Sequence, residues 1–177
     1  MIFTPTAIDG VHIVDIERRE DDRGFFARFF CQEEFIAAGL EPTVRQGNLS
    51  FNDREGTLRG MHFQLSPHEE TKLVRCTRGA IYDIAVDLRP DAPTYLQHVG
   101  VQLDEDNRRS LYVPRYCAHG YLTLAPGCEV TYLVSTDYTP GSSSGFRYDD
   151  PALNIEWPGE IHVVSDQDKA WPLLQTT

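Results

Sequence analysis

Residues 56–64 read GTLRGMHFQ, a glycine turn running into a short apolar strand that carries Arg59, His62 and Gln64. Packing alone gives such a strand no reason to hold an arginine and a histidine. A second histidine, His119, opens the apolar run in VPRYCAHGYLTL, and Lys72 begins the strand KLVRC, where valine or threonine is the plain choice. Histidine titrates near neutrality and can serve as a base or a metal ligand. Arginine and lysine can hold an anion or a developing negative charge. Three further residues belong beside them: Tyr132 in EVTYLVST, Asp168 in the polar stretch VVSDQDKAW, and Asp83 in IYDIAVD. Each also has a plain reading, as a core tyrosine with a satisfied hydroxyl, a solvated loop carboxylate and a structural partner. Asp83 is the better candidate than Asp87 for a buried carboxylate, and could orient a histidine.

Two kinds of chemistry compete on these residues. A metal site on a strand favours histidines at i and i+2, but position 64 is Gln; His68, Glu69 and Glu70 are the remaining donors that could join His62 and His119. A nucleophilic site is poorly supported, with no G-x-S-x-G elbow and no cysteine beside a helix start or a basic pair. Strict alternation puts His62 and Gln64 on one face and Arg59 on the other, with Gly60 the residue able to relax it through a bulge. It also puts Tyr132 on the face of Val130 and Val134.

The elements that must position these residues are short and β-rich. VHIVDI, TKLVRCT, AIYDIAVDL, YLQHVGVQL, SLYVP, GYLTLA, EVTYLVST and IHVV are strands, several of them alternating. Between them lie turn sequences such as TRGA, RPDAP, APGCE and WPGE. CQEEFIAAGL is the clearest helix, closed by Gly39, and DEDNRRS gives a helical turn. GSSSG reads as a loop tip. Many short strands at regular spacing predict an all-β sandwich or barrel, a double-sheet jelly roll among them, with a few short helices. With 177 residues, residues 1–177 are expected to form a single domain.

Composition removes several functions. A net charge of −11 argues against a general binder of nucleic acid or anionic membrane, yet leaves room for a local arginine cluster on a small anion. Four scattered cysteines, Cys31, Cys76, Cys117 and Cys128, fit reduced thiols. No basic leader with an apolar core and no apolar run of about 18 residues is present, so no signal peptide or membrane span is expected and the cytoplasm is the default.

Taken together, GTLRGMHFQ, KLVRCTRGAIYDIAVDLRPDAPTY, VPRYCAHGYLTL and DDPALNIEWP occur in an order and spacing that closely resembles the dTDP-4-dehydrorhamnose 3,5-epimerase family of deoxysugar biosynthesis. DDRGFFARFF and RQGNLSFN look like that family too, so the resemblance covers roughly residues 5–173. It implies a cupin-type jelly roll, a homodimer, no cofactor and no metal. It implies epimerisation of a nucleotide-activated 4-keto-6-deoxyhexose at C3, C5 or both, by proton abstraction α to the C4 ketone. His62 then matches the base, Asp168 its partner, Tyr132 the acid on the opposite face of the sugar, and Lys72 the cation near the enolate oxygen. Arg59 and His119 match pocket positions; Arg23, Phe26, Gln46, Asn48 and Tyr138 match nucleotide-sugar contacts. Arg23 and Phe26 would reach across the dimer, because the N-terminal strand adds to the partner's sheet.

Four positions depart from the family pattern. Arg28 stands where a glutamate is usual shortly after RGFF, and GSSSG lacks the usual loop glutamate. Gln167 replaces the lysine of S-x-K-D, and Leu133 the lysine that often follows the active-site tyrosine. Arg28, donor-only where glutamate is acceptor-only, becomes a candidate reader of the nucleotide base. The base, the sugar and the choice among 3,5-, 3- and 5-epimerisation stay open, with a single-centre epimerase and a metal-dependent cupin as the alternatives.

Overall fold

The computed structural model describes residues 1–174. Its strands, in chain order, are β1 (Ile2–Pro5), β2 (His12–Asp15), β3 (Arg19–Asp21), β4 (Gly24–Phe26), β5 (Gln46–Asn52), β6 (Thr57–Gln64), β7 (Lys72–Arg78), β8 (Ala80–Asp87), β9 (His98–Asp104), β10 (Ser110–Val113), β11 (Cys117–Thr123), β12 (Cys128–Val134), β13 (Ser143–Gly145) and β14 (Val163–Val164). Two short helices, α1 (Gln32–Ala37) and α2 (Asp166–Ala170), complete it. One sheet runs β1-β2-β10-β7-β12-β5 and the other β13-β6-β11-β8-β9. From β5 to β12 the chain switches repeatedly between the two sheets, and the result is a cupin-type double-sheet jelly roll.

The core lies between the sheets. Val74, Cys76, Leu111, Val113 and Val130 of the first sheet meet Ile81, Ala85, Leu103, Cys117 and Tyr121 of the second. Each large aliphatic buried there contributes about 1.5–3 kcal/mol. The central strand β11 is buried along its whole length, which explains why CAHGYLT reads as a continuous apolar run with a histidine inside it. The cysteines are free, and all but Cys31 are buried. The Asp104–Arg108 segment makes one i→i+4 turn, Arg108 N donating to Asp104 O at 3.0 Å.

Three expectations need correction. GSSSG is not a loop tip: Ser143–Gly145 pairs with Gln64–His62, supplying the backbone partners that the C-terminal half of β6 needs on its outer edge. The N-terminal half of that edge is covered by β14, parallel to Thr57–Leu58. Asp87 is as buried as Asp83, because Arg89 and Thr94 satisfy it.

The third correction concerns alternation on β6. Its ladder with β11 is regular at His119↔His62 and at Tyr121↔Arg59, and shifts register between them. Gly60 sits at φ +144°, and a Cβ there would stand 2.7 Å from Gly120 Cα. The two glycines let the strands close on each other where the pleat is broken. Arg59 therefore does not face away from His62: both line one cavity.

Candidate active site

That cavity, of about 650 Å³, opens between the sheets. The strand β6 gives it Arg59, His62 and Gln64, β7 gives Lys72, β12 gives Tyr132, β5 gives Gln46 and Asn48, and Tyr138 adds to its wall. The segment after β14 contributes Gln167, Asp168 and Trp171.

His62 and Asp168 form a close pair, Nε2 to Oδ1 at 2.6 Å, across 106 residues of chain. Asp168 is not a solvated loop carboxylate. It sits in α2, whose N-cap Ser165 accepts the Asp168 backbone N–H at 3.0 Å, and it is 4% exposed. Burial pushes its carboxyl upward, but the hydrogen bond and charge of His62, with the Gly60 N–H behind, outweigh this and hold it below the usual carboxylate range. An ionised Asp168 accepts the Nε2 proton, which leaves the lone pair of the neutral ring on Nδ1.

Tyr132 stands on the opposite sheet, packed on the central core. Burial and the charge of Glu70 raise its phenol above the ordinary tyrosine value, and Arg59 pulls the other way. It is a protonated donor at neutral pH. Lys72 is buried and its Nζ lies 3.0 Å from Glu70 Oε1. The other Glu70 oxygen accepts from Gln64 Nε2 at 2.7 Å, and Gln64 Oε1 accepts from Ser142 Oγ at 2.7 Å. Arg59 is aimed by Asn52, whose Oδ1 accepts its Nε–H at 2.8 Å.

His119 lies behind this constellation, beside His62 on β11, and does not line the cavity. Its Nε2 meets Asp83 Oδ1 at 2.7 Å. Asp83 is wholly buried; burial drives its carboxyl up, against the charges of His119 and Lys72, and its second oxygen has no hydrogen-bond partner among the described residues. Arg23, Phe26 and Arg28 do not line the cavity of their own chain. Arg23 and Phe26 ride on the exposed β3–β4 turn and hairpin, which pairs with no other strand among the described residues, and Arg28 Nη1 contacts Glu34 Oε1 at 3.0 Å. Among the described residues no three His, Cys, Asp or Glu side chains gather as metal ligands: His62 and His119 each face a single carboxylate.

Comparison with known proteins decides the family. The dTDP-4-dehydrorhamnose 3,5-epimerase family matches residues 5–176. The chain belongs to that family. It is an isomerase, an epimerase by kind. The dTDP-4-dehydrorhamnose 3,5-epimerase of Methanothermobacter thermautotrophicus is 40% identical over 98% of this chain and 94% of its own length. The crystal structure of the Bacillus anthracis dTDP-4-dehydrorhamnose 3,5-epimerase with TDP and PPi bound superimposes with a TM-score of 0.94 at 38% identity, covering 98% of this chain and 99% of its own. ChmJ, a 3'-monoepimerase from Streptomyces bikiniensis in complex with dTDP-quinovose, gives 0.87 at 30% identity, over 96% and 86% of the two chains.

Within this epimerase, the sequence gives one residue another role and leaves a second unmarked. Glu70 entered as a possible metal donor and is instead the ion partner of Lys72. Trp171, whose Nε1 donates to Asp168 Oδ1 at 3.3 Å, was not singled out. The pattern Ser165-x-x-Asp168 is the available signal for both α2 and the placement of Asp168, since serine followed three residues later by an acid marks a helix start.

Proposed function

We propose that this epimerase removes a proton α to the C4 ketone of a dTDP-4-keto-6-deoxyhexose with His62 and returns one on the other face with Tyr132, inverting C3, C5 or both. The observation that carries the reading is the position of the two groups. A histidine paired with a buried carboxylate stands on one sheet, and a protonated phenol on the other, with one cavity between them. A hexose lying in that cavity presents its two faces to the two sheets. The base atom is Nδ1, because Nε2 is committed to Asp168. As the proton leaves carbon, the ring becomes imidazolium and Asp168 stabilises it at 2.6 Å. Negative charge passes to the ketone oxygen, where the buried Lys72 supplies a cation. Glu70 fixes that ammonium and tempers its charge. Tyr132 then donates to carbon from the opposite face.

Arg59, Gln46, Asn48 and Tyr138 are assigned to the nucleotide sugar, with His119 supporting His62 from behind. Thymidine is favoured as the base because the related Bacillus anthracis enzyme holds TDP. The active form is assigned as a homodimer in the cytoplasm. Two features support the dimer: the β3–β4 hairpin is exposed, with Phe26 at 67%, and the edge strand β5 carries Leu49 at 61% and Phe51 at 52%. Across such a dimer Arg23, Phe26 and Arg28 would reach the partner's cavity, where Arg28 would exchange Glu34 for the base.

The test is incubation with 4-keto-6-deoxy nucleotide sugars in D₂O, with NMR of C3 and C5. Solvent deuterium with inversion is expected at one or both carbons of the thymidine substrate. Unlabelled, unchanged sugar across the whole panel would remove the reading.

A further inference from the structure

Trp171 follows α2 and turns its indole back onto the cavity wall. Its Nε1–H donates to Asp168 Oδ1, the oxygen that also meets His62 Nε2. The indole and imidazole rings stand edge to face, centroids 6.5 Å apart. The space it fills is prepared by another strand. Gly145 of β13 lies opposite His62 in the ladder, and a Cβ there would come within 2.7 Å of the indole. A larger residue at 145 would collide with both the Met61 backbone oxygen and the indole.

We infer that Trp171 is a positioning residue of the reaction: its N–H shares the Asp168 oxygen that holds His62, and so sets how strongly that carboxylate grips the protonated ring. The inference rests on the reading of His62 as the base. Two N–H donors compete for one oxygen. A carboxylate oxygen that accepts a second N–H has less charge to offer the first donor. A weaker grip on imidazolium lets the ring give up its proton at lower pH and return to the basic form. The carboxylate is oriented independently of that shared oxygen: its Oδ2 accepts from Gly60 N–H, and the Asp168 backbone N–H donates to Ser165 Oγ.

The other charged groups around His62 are accounted for. From β11 comes His119 with Asp83 behind it; from β7 and its preceding loop, Lys72 and Glu70; from β12, Tyr132; from β6 itself, Arg59. On α2, Asp166 and Lys169 are exposed, and β13 brings no titratable side chain. Among the described residues Trp171 hydrogen-bonds to none of these.

The experiment compares Trp171→Phe with Trp171→Leu. Phenylalanine keeps an aromatic wall but has no N–H; leucine keeps neither. Shared loss of the N–H should move the acid limb of kcat/KM to higher pH by about half a pH unit, roughly threefold, in both variants. A Phe variant with the wild-type limb and a shifted Leu variant would reduce Trp171 to a wall and overturn the proposal. If neither variant folds, indole emission of the wild-type enzyme decides between pH of about 5 and 8. The emission of Trp157 and Trp171 is read together; a change that vanishes in His62→Asn supports the coupling, and a flat trace, or a change that persists in His62→Asn, overturns it. His62→Asn also separates the two readings: retained deuterium uptake in that variant would sink the base assignment, while the emission result would still report on Trp171 and His62.

Discussion

Tyr132→Phe separates proton removal from proton delivery. The phenol makes no hydrogen bond to another described residue; burial and the charges of Glu70 and Arg59 are what act on it. Its ring packs on the central core between Val74 and Asn48 of the flanking strands. Phenylalanine keeps that packing, opens no cavity and strands no partner, so stability should change by less than about 0.5 kcal/mol. The chemistry should respond quite differently. His62 on the far sheet and Asp168 on α2 are untouched, and abstraction continues. With no donor opposite, the imidazolium returns its proton, now exchanged with solvent, to the face it came from. Inversion should fall about 10²–10⁴-fold. In D₂O, NMR should show deuterium at the substrate carbon with its configuration retained, exchange exceeding inversion by about 100-fold or more. If inversion keeps pace with exchange, some other group delivers the proton and the two-sheet mechanism is wrong.

Further outcomes can be checked alongside. Glu70→Gln removes one of the two influences that raise the Tyr132 phenol, so the alkaline limb of kcat should move to lower pH, where the wild-type limb lies above about 10; an unmoved limb would detach Glu70 from Tyr132. Asp168→Asn should cost about 1–3 kcal/mol near neutrality. Because the folded carboxyl of Asp168 titrates below its unfolded value, its contribution is present above a pH of about 4 and lost as pH falls through the lower folded value. The melting-temperature gap between wild type and Asp168→Asn should therefore shrink in acid, and a constant gap would contradict the assignment. Chelator treatment should leave turnover unchanged, and activity that disappears and returns with one divalent ion would favour a metallo-cupin. Calorimetry with thymidine, uridine, cytidine and guanosine diphosphates should give a different order of affinities for Arg28→Glu than for wild type, and an unchanged order would take Arg28 out of base reading.

Much of this site could be read before any fold was known, because β6, β7, β11 and β12 each put an out-of-place polar residue inside an apolar run. His62, His119, Lys72 and Tyr132 stand out for that reason. Alternation failed at Arg59 because a strand pattern assumes an unbroken pleat, and the break comes from two glycines in different strands meeting at 60 and 120. Asp168 looked solvated because α2 is too short to show helical periodicity, although its cap at Ser165 was visible. Ser143–Gly145 looked like a loop because three small residues have no strand propensity of their own; the open edge of β6 makes them a strand. Glu70 was legible as a charge but not as a partner, since its pairing with Lys72 depends on where the loop before β7 turns.

The dyad joins residues 62 and 168, and the distance along the chain matters during synthesis. Strands β1 to β12 are complete by Val134, so nearly all of both large sheets is specified before Asp168 leaves the ribosome. A chain cut after Ile161 would retain β1 to β13, along with Tyr132, Lys72 and His62, but would lack β14, Asp168 and Trp171. Occupancy of the cavity and turnover would then part company: such a fragment is expected to bind nucleoside diphosphate and to leave deuterium in the solvent. On the proposed mechanism, the order in which His62 and Asp168 emerge would make enolisation a late event in the life of each molecule, reserved for chains whose last helix has docked.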